Sequence, residues 1–187
     1  MQSLAEIHRT LGIPADYAAS RGLARQPEAR HLVLIGRAAD DGRPVRVAPS
    51  AAKAWRHMCV AAAKERIVLL PLSGFRSVAR QTKIIRAKLS AGEPIGEVLR
   101  LIAAPGFSEH HTGRAIDIGT HNHLSLDAQF ATTPAFRWLR LHARRFGFSM
   151  SYPPGNPHGF SPEPWHWCLR AARASAEREP KVGCRDK

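Results

Sequence analysis

The sequence predicts an α+β domain with helices flanking a central antiparallel sheet, and three observations lead there. Short apolar runs fit for strands are interspersed with segments of helical period, without the strand-helix-strand alternation of a parallel sheet. A length of 187 residues with 44% apolar content suits one compact domain whose core needs no cross-links. The polar clusters capable of chemistry fall at strand ends and in the turns beside them, where a rigid sheet can hold side chains around an open site. We read 1–187 as a single domain, with a motif-bearing core at about 49–169 and a peripheral tail, a frayed helix, at 170–187.

Each element has a local reason. Ser3 to Leu11 reads as a short helix with Ser3 as N-cap, stopped by Gly12 and Pro14. Residues 14–30 hold turn formers without a sustained period and predict a loop or short helical pieces. His31 to Ile35 is an apolar run fit for a strand, followed by a turn at 40–44 and a second strand at Val45 to Val47. Ser50 to Glu65 is helical, because Ala51, Trp55, Met58 and Ala62 recur on one face. Ile67 to Ser73 is long and apolar enough for a buried strand, with Pro71 marking a bulge or a sheet edge. It leads through a turn at Gly74 into a helix over 77–89, in which Val78, Ile85 and Leu89 share a face and Gln81 lies one turn in.

Further on, Arg114 to Gly119 has the two-residue period of a strand, which turns Asp117 away from the apolar face of Ile116 and Ile118. Pro134 opens a helix with Phe136, Leu139, Ala143 and Phe146 on one face, closed by Gly147. Two further strands are expected at 148–152 and 165–169, with a Pro/Gly/Asn-rich loop between them. The segments 90–104 and 120–133 carry no pattern and are expected to be loops.

The candidate chemistry centres on three donors. His110 and Asp117 offer an imidazole nitrogen and a carboxylate oxygen, both good zinc ligands, and Gly113 between them lets the backbone turn so that they converge. His166, in Glu163-Pro-Trp-His166, offers a third. Three protein ligands with one open position describe a catalytic zinc rather than a structural one. Such an ion makes water a nucleophile near neutral pH, and a neighbouring carboxylate can carry its proton. Glu163 is that candidate, since the bend at Pro164 can set it beside the metal rather than on it. Arg76 is placed to stabilise a developing oxyanion or to hold a substrate carboxylate with its guanidinium fork.

Taken together, these motifs resemble the VanY-like D-alanyl-D-alanine carboxypeptidases, zinc peptidases that share a fold with the Hedgehog signalling domain. Ser108-Glu-His-His-Thr-Gly-Arg-Ala-Ile-Asp117 is similar to the family's SxHxxGxAxD and Glu163-Pro-Trp-His166 to its ExxH. Ser73-Gly-Phe-Arg-Ser-Val-Ala-Arg-Gln81 is similar to its SG(Y/F)RSxxxQ. The resemblance implies one zinc ion per chain on His110, Asp117 and His166, and Arg76, Gln81 and Ser108 as substrate-binding residues. It implies hydrolysis near the C-terminus of a peptide, D-Ala-D-Ala in a peptidoglycan stem peptide or its precursor. L,D-carboxypeptidases and peptidoglycan endopeptidases of the same fold are the alternatives, and a non-catalytic wall-binding module is the alternative of another class. Glu163 argues against that module, which would have no need of a carboxylate beside its metal.

The remaining features bound the partners. A formal charge of +13 favours polyanions. The basic residues are nevertheless spread along the chain without a basic tail, a helix-turn-helix signal or an aromatic RNA-binding motif, so no specific nucleic acid is expected. An anionic cell wall fits both the charge and the motifs. No apolar run is long enough to span a membrane, and Met1 to Leu11 is amphipathic rather than signal-like. As it stands the chain is expected to be soluble and cytoplasmic, or periplasmic or secreted if a leader was removed, and a monomer is favoured. Cys59, Cys168 and Cys184 have no metal-binding spacing and are expected to be buried or incidental thiols. His111, His121, His123, His142 and His158 are expected at the surface or in hydrogen bonds, Asp127 in a loop, and Trp165 and Trp167 in strand packing.

Overall fold

The computed structural model describes residues 2–170, so that all but the first residue of the expected tail, Cys184 included, lies outside them. The opening helix α1 (Leu4–Leu11) starts at the capping box of Ser3 and Glu6 and stops at Gly12, whose φ of 68° is the left-handed conformation expected of a helix-ending glycine. A short α2 (Tyr17–Ser20) follows. Strands β1 (Val33–Arg37) and β2 (Pro44–Val47) pair as an antiparallel hairpin with a bulge between Leu34 and Gly36. Helix α3 (Pro49–Lys64) buries the expected face of Ala51, Trp55, Met58 and Ala62.

The central sheet has four antiparallel strands in the order β3-β4-β6-β5, with β3 at Leu70–Ser73, β4 at Ala115–Gly119, β5 at Phe148–Met150 and β6 at His166–Leu169. The apolar run from Ile67 enters the sheet only at Leu70, because the Ile67 amide is still bonded to Ala62 O at the end of α3. Pro71 satisfies both of its readings. It lies on an edge strand, next to a register shift between Pro71 and Ser73.

Helices α3 and α6 (Pro134–His142) cover one face of the sheet, where Met58, Trp138 and Leu139 meet Ile116, Ile118 and Trp167 in the main core. A second apolar cluster joins Leu11 and Tyr17 to Ile85 of α4 (Val78–Ser90) and to Val98 and Leu99 of α5 (Ile95–Leu101). The segment 90–104 is thus not the loop expected of it. Its α5 is a seven-residue helix held by burial of Val98 and Leu99, too short to reveal a period in the sequence. In 120–133 the chain makes a short 3₁₀ turn at Ala128–Thr132.

Register does the positioning. Ser73 of β3 pairs with Asp117 of β4, and Asp117 pairs with His166 of β6. Three polar residues therefore form a row across the sheet, on the face opposite Ile116 and Ile118. All five residues of β4 are buried, so Asp117 faces an enclosed site rather than solvent.

Candidate metal centre and active site

Asp117 is the middle of the site because two imidazoles converge on it. His110 Nε2 lies 3.2 Å from Asp117 Oδ2, and His166 Nδ1 lies 3.0 Å from Oδ1. His166 reaches this place as the first residue of β6, directly across the ladder. His110 reaches it from a 3₁₀ turn at Glu109–Thr112 that ends in Gly113 at φ 64°. A β-carbon at Gly113 would stand 2.8 Å from the Ala48 nitrogen, so the turn needs glycine for its conformation and for its close approach to the start of α3.

The second nitrogen of each ring is also fixed. His110 Nδ1 donates to Gly74 O at 2.7 Å, and His166 Nε2 is 3.0 Å from Glu109 Oε2. Each ring thereby presents its remaining nitrogen, His110 Nε2 and His166 Nδ1, to the space beside Asp117. Orienting partners of this kind, a backbone carbonyl and a carboxylate, characterise histidines that ligate metals. The candidate donor atoms of His110, Asp117 and His166 lie within 4.8 Å of one another, and all three residues are buried. Two nitrogens and a carboxylate at this spacing fit a zinc ion with room for a further ligand.

Charge at the site is finely balanced. Burial pushes Asp117 up, but the two imidazoles outweigh it and hold its carboxyl well below the usual range. Burial presses His166 downward, and its hydrogen bonds to Asp117 and Glu109 raise it to about 10. His110 is pushed down, chiefly by burial. Glu109 is drawn to about 2 against its burial by His166, Ser151 and Arg170. Glu163 goes the other way, to about 7, because burial dominates and the pull of His166 is partly undone by Asp117. Its Oε2 is 3.8 Å from His166 Nδ1, adjacent to the donors but outside their set.

The expected substrate residues come to the same place. Arg76 is mostly buried, its Nη1 donating to Gln81 Oε1 at 3.2 Å and its Nη2 lying 3.9 Å from Asp117 Oδ2. Gln81 is itself buried and fixed by donating to Ala103 O at 2.6 Å. The Ser108 hydroxyl has no hydrogen bond among the described residues. All seven expected residues, Arg76, Gln81, Ser108, His110, Asp117, Glu163 and His166, line one cavity of about 410 Å³. Trp165 lies on its wall, while Trp167 packs in the core as expected.

Two supporting residues escaped sequence reasoning. Glu109 orients His166 and is itself held by Ser151 and by Arg170 Nη1 at 3.1 Å. His111, expected at the surface or in a hydrogen bond, is fully buried and makes two. It donates from Nδ1 to Arg76 O at 2.6 Å and accepts at Nε2 from the Gly106 amide at 3.0 Å. The signal for both was their adjacency to His110, which does not distinguish a neighbour in sequence from a partner in space. His121 is exposed, His158 bonds Arg21 O, and Asp127 caps the 3₁₀ turn at Ala128–Thr132. Cys59 and Cys168 are free thiols, each pushed up to about 12 by burial.

Known proteins resemble this chain in sequence and fold. YodJ of Bacillus subtilis (strain 168), a carboxypeptidase-like protein, is 37% identical over 120 residues, or 62% of this chain. The match covers 43% of YodJ, so the chain spans less than half the length of that relative. The LD-carboxypeptidase LdcB superposes with a TM-score of 0.68 at 31% identity, covering 76% of this chain and 69% of its own. The vancomycin-resistance D,D-pentapeptidase VanY, solved with Zn(II), superposes with a TM-score of 0.57 at 25% identity over 80% of this chain and 87% of its own. No described helix is long and apolar enough to cross a membrane. Residues 44–172 match the family described as VanY: D-alanyl-D-alanine carboxypeptidase, a span that takes in every expected site residue, and the chain belongs to that metallopeptidase family.

Proposed function

We propose that this protein is a zinc carboxypeptidase that removes the terminal D-alanine from the D-Ala-D-Ala end of a peptidoglycan stem peptide or its precursor. The observation that carries the reading is the place of Glu163, beside the His110, Asp117 and His166 donors yet not among them, in a cavity shared with Arg76. Zinc, when bound, supplies the Lewis acidity that activates a water and polarises the scissile carbonyl.

The chain's own residues do the rest. Glu163 takes the proton of the attacking water and returns it to the departing amine, for which a carboxylate raised toward neutrality is well matched. Arg76, with Gln81 fixing its fork, offers N–H donors to the oxygen that gains charge or to the terminal carboxylate. Ser108 contributes a hydroxyl on the same wall. Asp117 and the partners Gly74 and Glu109 hold the imidazoles in place.

A second reading, hydrolysis of an L,D bond, is favoured by the similarity to LdcB, an LD-carboxypeptidase. One experiment tests both. Purified protein, loaded with zinc or stripped by chelator, is incubated with muropeptides bearing penta- and tetrapeptide stems, and the released residue is identified by mass. D-alanine from the pentapeptide alone, lost on chelation, is the expected result. Release from the tetrapeptide alone moves the assignment to the L,D bond, and release from neither overturns the carboxypeptidase reading.

A further inference from the structure

A second groove, of about 360 Å³, begins where the site cavity ends. Arg76, Ile84 and Leu126 line both. The Arg76 guanidinium stands at the junction, with Nη2 3.5 Å from Ser73 Oγ, which lines the groove, and 3.9 Å from Asp117 Oδ2, which lines the site. The groove walls carry Arg43 and Arg46 from the β1–β2 hairpin and Arg80 from the first turn of α4. Asp40 also lines it, and Asp41 is paired with Arg43. Arg46 and Arg80 are exposed and form no ion pair among the described residues.

These charges act on one another. Arg80 and Arg43 lie near enough for their charges to oppose that of Arg76, which Asp117 and Glu163 support, and Arg80 also acts on Asp41. An anion between the hairpin and α4 would meet guanidinium forks shaped for a carboxylate. Lys88, on another wall of the site cavity, offers no equivalent, since Glu93 holds its ammonium at 2.9 and 3.0 Å.

We propose that this groove is a subsite for a side carboxylate of the substrate, held by Arg46 and Arg80. The proposal rests on the carboxypeptidase reading. With Arg76 on the carbonyl oxygen of the cleaved bond rather than on the terminal carboxylate, the last residue lies in the site cavity, and the part that continues past Arg76 into the groove is the peptide before that bond. Recognition of a carboxylate there selects acidic stem peptides over amidated ones, through contacts remote from the chemistry.

The test compares two pentapeptides ending in D-Ala-D-Ala, one with a free side carboxylate upstream of the cleaved bond and one with that group amidated. Affinity is measured in the Glu163→Gln background and kcat/KM in the otherwise native enzyme, both zinc-loaded and at near-physiological salt to screen long-range attraction. The expected result is a preference for the free carboxylate of about tenfold or more. Arg46→Gln/Arg80→Gln should abolish it without affecting the amidated peptide. Lys53→Gln/Arg56→Gln, which removes the same charge from α3 on the other side of the sheet, should leave it intact. No preference in the parent, or an equal loss on both peptides, overturns the subsite. Preference in binding with no turnover of either peptide overturns the carboxypeptidase reading and leaves the subsite standing. Turnover without preference does the reverse, and a failure of both peptides to bind removes the subsite.

Discussion

At the scale of single residues, the proposed mechanism gives Glu163 and His111 opposite parts, one titrating and one holding still. Glu163 can accept a proton only when ionised, and burial raises it to about 7. Catalytic efficiency should therefore climb with pH through an acid limb, and the charge of a bound cation should draw that limb below 7. Glu163→Gln should lower kcat by about a hundredfold or more while zinc content stays near one per chain. Zinc lost along with activity would make it a ligand instead. His111 bridges Arg76 O and the Gly106 amide, and the Arg76 amide in turn donates to His110 O at 3.1 Å. His111→Leu should leave both bridged groups unsatisfied, costing about 1–3 kcal/mol for each, and lower kcat/KM with zinc retained. His111→Gln, able to keep a bond, should recover part of both losses in parallel denaturation and kinetic measurements. The convergence of His110, Asp117, His166 and Glu163 was legible because their residue types and spacing suit one shared site. Glu109 was not, because its part depends on which way the His166 ring turns, a property of the folded backbone.

Among the elements, the turn after β3 does the most with the fewest atoms. A β-carbon at Gly74 would fall 2.5 Å from Arg46 O and 2.9 Å from Val45 Cγ1, so the absence of a side chain lets the β1–β2 hairpin close on the sheet. Gly74 O also orients His110. Gly74→Ala should cost about 1–3 kcal/mol of stability through overpacking and about 10–100-fold in zinc affinity through the displaced carbonyl. Urea titration and competition with a zinc dye measure the two effects, and an unchanged zinc affinity would separate the turn from the metal centre. Elements with a long period, α3 and α4, were readable at near-residue precision. By contrast α5 was hidden, since Pro94 and Gly96 look like loop residues and its helix is held by Val98 and Leu99 meeting α4 and the N-terminal segment. Strand β3 was read three residues too long, because an apolar run does not say where pairing begins.

Over the whole molecule, the candidate metal centre brings together segments far apart in the chain, with His110 in a turn, Asp117 on β4 and His166 on β6. An unfolded chain holds these donors apart, so zinc should bind the folded form and stabilise it by mass action. Free zinc at a thousand times its dissociation constant corresponds to about 4 kcal/mol, which for a chain of this size is a rise in Tm of roughly 10 °C. Thermal scans with zinc and with chelator should show that difference, and His110→Ala should erase most of it. The fold class followed from the succession of elements, whereas strand order did not, because β4 and β6 pair across about fifty intervening residues and local pattern is silent on such contacts. Strand order carries one more consequence, through Pro71. The outer rim of a sheet is a template on which a neighbouring chain can add a strand and begin to aggregate. Here one rim presents a proline, which has no amide to donate, and its carbonyl already accepts from Ala39 at 3.2 Å. The other rim, β5, is only three residues long. A strongly basic chain thus offers its own copies little backbone on the rims of this four-stranded sheet on which to assemble.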